Sequence, residues 1–158
     1  MSTQNSDLSN YDVSKVPSGV GLTIGLVVSN WNEDITESLY SGAYDTLLNC
    51  GVISDNIKRI DVPGSFELVF GSKKMIQSGV DVVIAIGCVI KGETEHFNYI
   101  CQSVSKGIID LNINFDIPVV FCVLTDNIKQ QSIDRSGGKF GNKGVEAAIT
   151  ALQLANLN

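Results

Sequence analysis

The only histidine of this 158-residue chain, His96, follows its most apolar run, Val82-Val83-Ile84-Ala85-Ile86-Gly87-Cys88-Val89-Ile90. Histidine titrates near neutrality, so one placed at a strand end is a candidate general acid or base. The plain alternative is a polar residue opening a helix. Three other segments carry chemistry-bearing residues. Asn30-Trp31-Asn32-Glu33 holds the sole tryptophan, whose indole either offers a ring a flat apolar platform or simply packs. In Val62-Pro63-Gly64-Ser65-Phe66-Glu67 a Pro-Gly turn places Ser65 and the first amides of a helix together. Glu67 there either accepts hydrogen bonds from ligand hydroxyls or is an acid favoured by the helix dipole. Lys91-Gly92-Glu93-Thr94-Glu95-His96 offers helix-start amides to an anion, which Glu93 and Glu95 oppose. Farther on, Arg135, Lys139 and Lys143 cluster among glycines. They form either a phosphate-binding group built on the arginine fork or a solvated loop.

The elements that must position these residues alternate. Apolar strands are expected at 22–29, 57–62, 81–90 and 118–124, with Pro118 tolerated at the start of the last. Helices are expected at 33–50, 66–78, 95–112, 127–134 and 142–157, with Thr94 as N-cap of the third and a glycine-rich linker at 136–141. Strand–helix repetition without hairpin signals implies a parallel four-stranded sheet in a three-layer α/β/α sandwich. The loops after the strands then open on one sheet edge, where ligands bind in such folds. Residues 1–20 read as a polar, flexible N-terminal arm, and 21–158 as a single domain.

Composition narrows the function. Seventeen acidic residues against eleven basic ones give a net charge of −6, which argues against broad contact with nucleic acid or an anionic membrane. The two arginines are Arg59 and Arg135, so an anionic ligand must be held by a few local donors. Cys50, Cys88, Cys101 and Cys122 lack metal-ligand spacing and read as reduced core residues, which fits a cytoplasmic protein. No signal-like or membrane-spanning apolar run is expected, and no dinucleotide, Walker or zinc motif occurs.

Taken together, Ser29-Asn30-Trp31-Asn32, Val62 to Glu67, Gly87 to Phe97, Val123-Leu124-Thr125 and Gly141 to Ala148 resemble the lumazine synthases of riboflavin biosynthesis, from about Thr23 to Leu154. The resemblance implies a flavodoxin-like fold and a transferase. That enzyme condenses 5-amino-6-(D-ribitylamino)uracil with 3,4-dihydroxy-2-butanone 4-phosphate, without metal or organic cofactor. It implies that Trp31 stacks on the pyrimidine and that Ser65, Phe66 and Glu67 hold the ribityl chain. Cys88, Val89 and Ile90 would line the ring, and Glu93 and Thr94 would meet the butanone phosphate. Arg135 would pair with that phosphate, His96 would transfer protons, Phe121 would flank the ring, and Lys143 would lie near the anionic substrate.

Members of that family assemble as homopentamers whose sites are shared between subunits, some as 60-subunit icosahedral shells with riboflavin synthase as possible cargo. By analogy Phe121, Arg135 and Lys143 come from the neighbour of the subunit supplying His96. The short segment 136–141 resembles the shell-forming members, although Phe140 stands where a small residue is common and Asp126 where a second hydroxyl is. The alternatives are a flavin-binding paralogue without turnover, a shell protein with vestigial catalysis, and a flavodoxin-like electron carrier. The first loop, poor in Ser, Thr and Gly, disfavours the last.

Overall fold

Side-chain alternation along three strands builds two cores at once. The computed structural model describes residues 9–157. Its parallel sheet contains β1 (Ile24–Ser29), β2 (Ile57–Val62), β3 (Val82–Ile90) and β4 (Val119–Asp126), in the order β2-β1-β3-β4. Ile24, Leu26 and Val28 of β1, Ile84, Ile86 and Cys88 of β3, and Val120, Cys122 and Leu124 of β4 enter one core. There they meet α1 (Glu33–Asn49) and α5 (Lys143–Ala155). Val27, Val83, Ala85, Val119 and Val123 enter the other, against α2 (Leu68–Gln77) and α3 (His96–Asn114). Period-two alternation of this kind is what a strand covered on both faces requires. The three layers and four parallel strands are therefore those expected of the sequence.

The layers approach closely where side chains are absent. A Cβ on Gly87 would lie 2.7 Å from Ser65 Oγ and 2.8 Å from Leu68 Cδ1, so glycine lets the start of α2 close on β3. A Cβ on Gly144 would lie 1.9 Å from the carbonyl oxygen of Leu39, which brings α5 into backbone contact with α1. Asn142 supports the same joint. Its Oδ1 accepts from the Gly144 amide at 2.8 Å and its Nδ2 donates to the Ser38 carbonyl at 2.8 Å.

Two local expectations change. The segment expected as a linker forms a small antiparallel hairpin, β5 (Ser136–Gly138) with β6 (Gly141–Asn142), between α4 (Lys129–Arg135) and α5. Periodicity misses strands this short. Thr94 is not the N-cap of α3: Glu95 takes that position, and Thr94 Oγ1 instead accepts from the His96 amide at 3.4 Å. The arm expected over residues 1–20 lies partly outside the described residues. From Ser9 onward it rests on the body, with Tyr11 and Val16 against the first core and the Gly19 amide donating to the Cys50 carbonyl at 2.8 Å. No described helix is long and apolar enough to cross a membrane.

Gly144→Ala sets a small helix-propensity gain, about 1 kcal/mol, against a clash with backbone that cannot rotate away. Overpacking of this kind costs roughly 1–3 kcal/mol. The variant is expected to melt several degrees below wild type, and a scanning calorimetry trace with an unchanged or higher midpoint would contradict the contact.

Candidate functional site

The strand order places the topological switch between β1 and β3, where successive connections leave in opposite directions and a crevice opens at the carboxyl edge. One side chain spans that crevice. Asn32 adopts a left-handed conformation (φ 62°), alone among described non-glycine residues, and its Nδ2 donates to the Cys88 carbonyl at 3.1 Å. Asparagine tolerates this region better than most residues. The turn sets Trp31 at the rim with 73% of its surface exposed. Across from it, buried Ser65 places its hydroxyl 3.5 Å from the same carbonyl.

These groups line a cleft of about 690 Å³, within the range that holds a small organic ligand. The cleft brings together Trp31, Ser65, Phe66 and Glu67 with Cys88, Val89, Ile90 and His96. His96 is exposed at the start of α3, and Glu67 is exposed on the turn before α2. A flat indole, a carboxylate and an imidazole facing one space can stack a ring, accept from hydroxyls and move a proton. Glu93 and Thr94 do not line it; they sit exposed in the loop that leads to His96. Glu95 turns to its own helix, accepting from Asn98 Nδ2 at 2.6 Å.

Phe121, Arg135 and Lys143 are not in this cleft. They line a second surface along the open edge of β4, together with Asp126 and Glu146. Phe121 is 41% exposed there, on the strand face that the second core leaves uncovered. Arg135 ends α4, with Nη1 donating to the Gln131 carbonyl at 2.9 Å and its guanidinium 5.2 Å from the centre of the Phe140 ring. Lys143 opens α5 and pairs with Glu146 at 2.6 Å. The other arginine has structural work: Arg59 binds Glu37 and Asp61 and lies 4.3 Å over the Tyr40 ring. Lys139, the third cation of the cluster, sits exposed on the hairpin tip 5.2 Å from Phe140.

Sequence reasoning passed over Asn32 as a positioning residue, Glu146 as the partner of Lys143, and the pair Asp126–Ser132. The signal for Asn32 was its place directly after a strand and a tryptophan, where a left-handed turn favours asparagine. The signal for Lys143–Glu146 was their i,i+3 spacing on one helix, whereas Asp126–Ser132 joins a strand to a helix and left no pattern in the sequence.

All four cysteines are free; three are buried and Cys101 is half-buried. Burial holds every one of these thiols above its ordinary value of 9.0, and pushes Cys122 up to about 12. A site of reactive thiolates is therefore not what these residues form.

An open parallel sheet that gathers a ring platform and a titratable group at its switch point belongs to the α/β proteins that bind small molecules at the carboxyl edge. Comparison with known proteins narrows that class. Residues 21–158 match the family model of 6,7-dimethyl-8-ribityllumazine synthase. A 6,7-dimethyl-8-ribityllumazine synthase of Flavobacterium psychrophilum is 57% identical over 99% of this chain and 84% of its own length. Those of Christiangramia forsetii and Porphyromonas gingivalis are 54% and 52% identical, each over 99% of this chain and over 95% and 98% of their own lengths. The chain belongs to the 6,7-dimethyl-8-ribityllumazine synthase family.

The buried thiols make a pH dependence. A folded thiol that resists ionisation leaves stability untouched below about pH 9.0, the ordinary thiol value, and lowers it as pH climbs toward about 12 for Cys122. Cys122→Val, close in volume, is expected to flatten the alkaline decline seen in denaturant titrations between those pH values. An unchanged slope would contradict the burial of this thiol.

Proposed function

We propose that the cleft beside His96 receives the pyrimidine substrate, and that the β4-edge surface of a second copy supplies the cations for the phosphate. The chain is a lumazine synthase, a transferase of riboflavin biosynthesis. It condenses 5-amino-6-(D-ribitylamino)uracil with 3,4-dihydroxy-2-butanone 4-phosphate to give 6,7-dimethyl-8-ribityllumazine, phosphate and water. The observation that carries the residue assignment is the gathering of Trp31, Glu67 and His96 on one cleft. The cations Arg135 and Lys143 line a separate surface on an uncovered strand edge.

On this reading Trp31 stacks on the pyrimidine, and Cys88, Val89 and Ile90 border the ring. Ser65, Phe66 and Glu67 hold the ribityl chain, with the Glu67 carboxylate accepting from its hydroxyls. The substrate amine attacks the ketone, water leaves as an imine forms, phosphate departs, and ring closure expels a second water. Each step moves a proton, and exposed His96 at the cleft is the group placed to carry it. Arg135 binds the departing phosphate, Glu93 and Thr94 approach it through their amides, Phe121 flanks the ring, and Lys143 adds positive potential.

Two features support a shared site. β4 is a sheet edge, and a bare strand edge carrying an exposed aromatic is a surface that associates. Trp31 and Phe66 are also exposed, at 73% and 55%, beside the cleft that such a surface would cover. A homopentamer is the assembly proposed. A 60-subunit shell around a riboflavin synthase cargo is its extension, supported by the short hairpin between α4 and α5. The free thiols fit a reducing cytoplasm as the place of work.

Lumazine absorbance with both substrates present tests the assignment. His96→Ala is expected to lose roughly 10²- to 10⁴-fold in kcat, the range of general acid–base help. Arg135→Ala is expected to raise the KM of the phosphorylated ketone about 10- to 100-fold, since a charged hydrogen bond is worth roughly 1.5–3 kcal/mol. Unchanged turnover in the histidine variant would remove its role. Light scattering on the same sample is expected to give pentamers or their multiples, and a monomer with full activity would overturn the shared site.

A further inference from the structure

A buried hydrogen-bond chain joins the two surfaces from inside one subunit. Cys88 is 1% exposed and Ser132 fully buried. The Cys88 thiol donates to Ser132 Oγ at 3.4 Å, and that hydroxyl donates to Asp126 Oδ2 at 2.8 Å. Cys88 lines the ring cleft, whereas Asp126 lines the β4-edge surface beside Arg135. Ser132 is the buried residue of α4, three positions before Arg135.

The charges on that surface make the arrangement meaningful. It holds two acids, Asp126 and Glu146, and two cations, Arg135 and Lys143. Glu146 is taken by Lys143. Asp126 is taken by the Ser132 hydroxyl, and among the described residues no carboxylate pairs with Arg135. A half-buried carboxylate that loses its donor gains by pairing with a cation, and Arg135, which lines the same surface, is the cation there that no carboxylate holds among the described residues.

We propose that Ser132 is a positioning residue for phosphate recognition: it pins the Asp126 carboxylate, keeps it from neutralising Arg135, and anchors α4 on β3 through Cys88. The proposal rests on the reading of Arg135 as the phosphate-binding residue. The hydroxyl touches no substrate; it acts through the charge left on Arg135.

Steady-state kinetics on the full-length assembled enzyme test it. Ser132→Ala is expected to raise the KM of the phosphorylated ketone at least about threefold, and to weaken inhibition by inorganic phosphate equally. The KM of the pyrimidine and kcat should stay within about twofold. The double variant Ser132→Ala, Asp126→Asn is expected to restore the ketone KM, because an amide cannot neutralise Arg135. Ser132→Cys, nearly isosteric and a much weaker donor, should show the same split, and it serves if the alanine variant does not fold. An unchanged ketone KM in both variants, a parallel rise in both KM values, or no rescue by Asp126→Asn would overturn the proposal. Arg135→Ala measured alongside separates the two ideas. If it leaves the ketone KM unchanged, the phosphate reading falls and the proposal with it. If it raises that KM while the Ser132 variants do not, the proposal alone falls.

Discussion

A strand buried on both faces cannot slip. The first seven residues of β3 are buried, and its alternate side chains enter two different cores. A shift of one residue would exchange those faces, so its register against β1 and β4 is fixed by packing on both sides. The carboxyl end of β3 inherits that precision. Cys88 presents its carbonyl to Asn32 and Ser65 on one side and its thiol to Ser132 on the other, and the chain then turns toward His96. The histidine itself is exposed, but the strand that leads to it is held by packing on both faces and by pairing on both sides.

The electrostatics follow from scarcity. An acidic chain with two arginines spends one of them, Arg59, on Glu37, Asp61 and Tyr40 at the β2 edge. The two carboxylates that line the surface with Arg135 are occupied by Lys143 and Ser132, so its guanidinium keeps its charge. The same economy applies to apolar surface. Trp31 and Phe66 remain open beside the His96 cleft and Phe121 on the β4-edge surface, while the cores close around aliphatic residues.

Much of this was legible in the sequence. β-branched runs and helical spacing marked all four strands of the parallel sheet and the five α-helices to within a few residues, because each element buries a continuous face. The residues of the His96 cleft were legible because loops after parallel strands share one edge. What escaped is tertiary in origin. The hairpin at 136–142 is too short to show a period, and its pairing depends on where α4 and α5 are anchored. Thr94 looked like a cap because threonine favours that role, yet the backbone enters the helix one residue later. Ser132 carries no signal of its own; its partners, Asp126 and Cys88, lie 6 and 44 positions away.

The hairpin has a geometric role. Arg135 stands immediately before β5, and Lys143 immediately after β6. Both ends are clamped, since Ser38 donates to the Ser136 carbonyl and Asn142 grips α1 and the start of α5. The separation of the two cations is thus a property of the base of the hairpin and not of its tip. Lys139, exposed at the tip, stands apart from that spacing, whereas Phe140 lies against the Arg135 guanidinium and belongs to its setting. The distance between the two charges is therefore built into the clamps on α1 and α5, outside the turn that separates them.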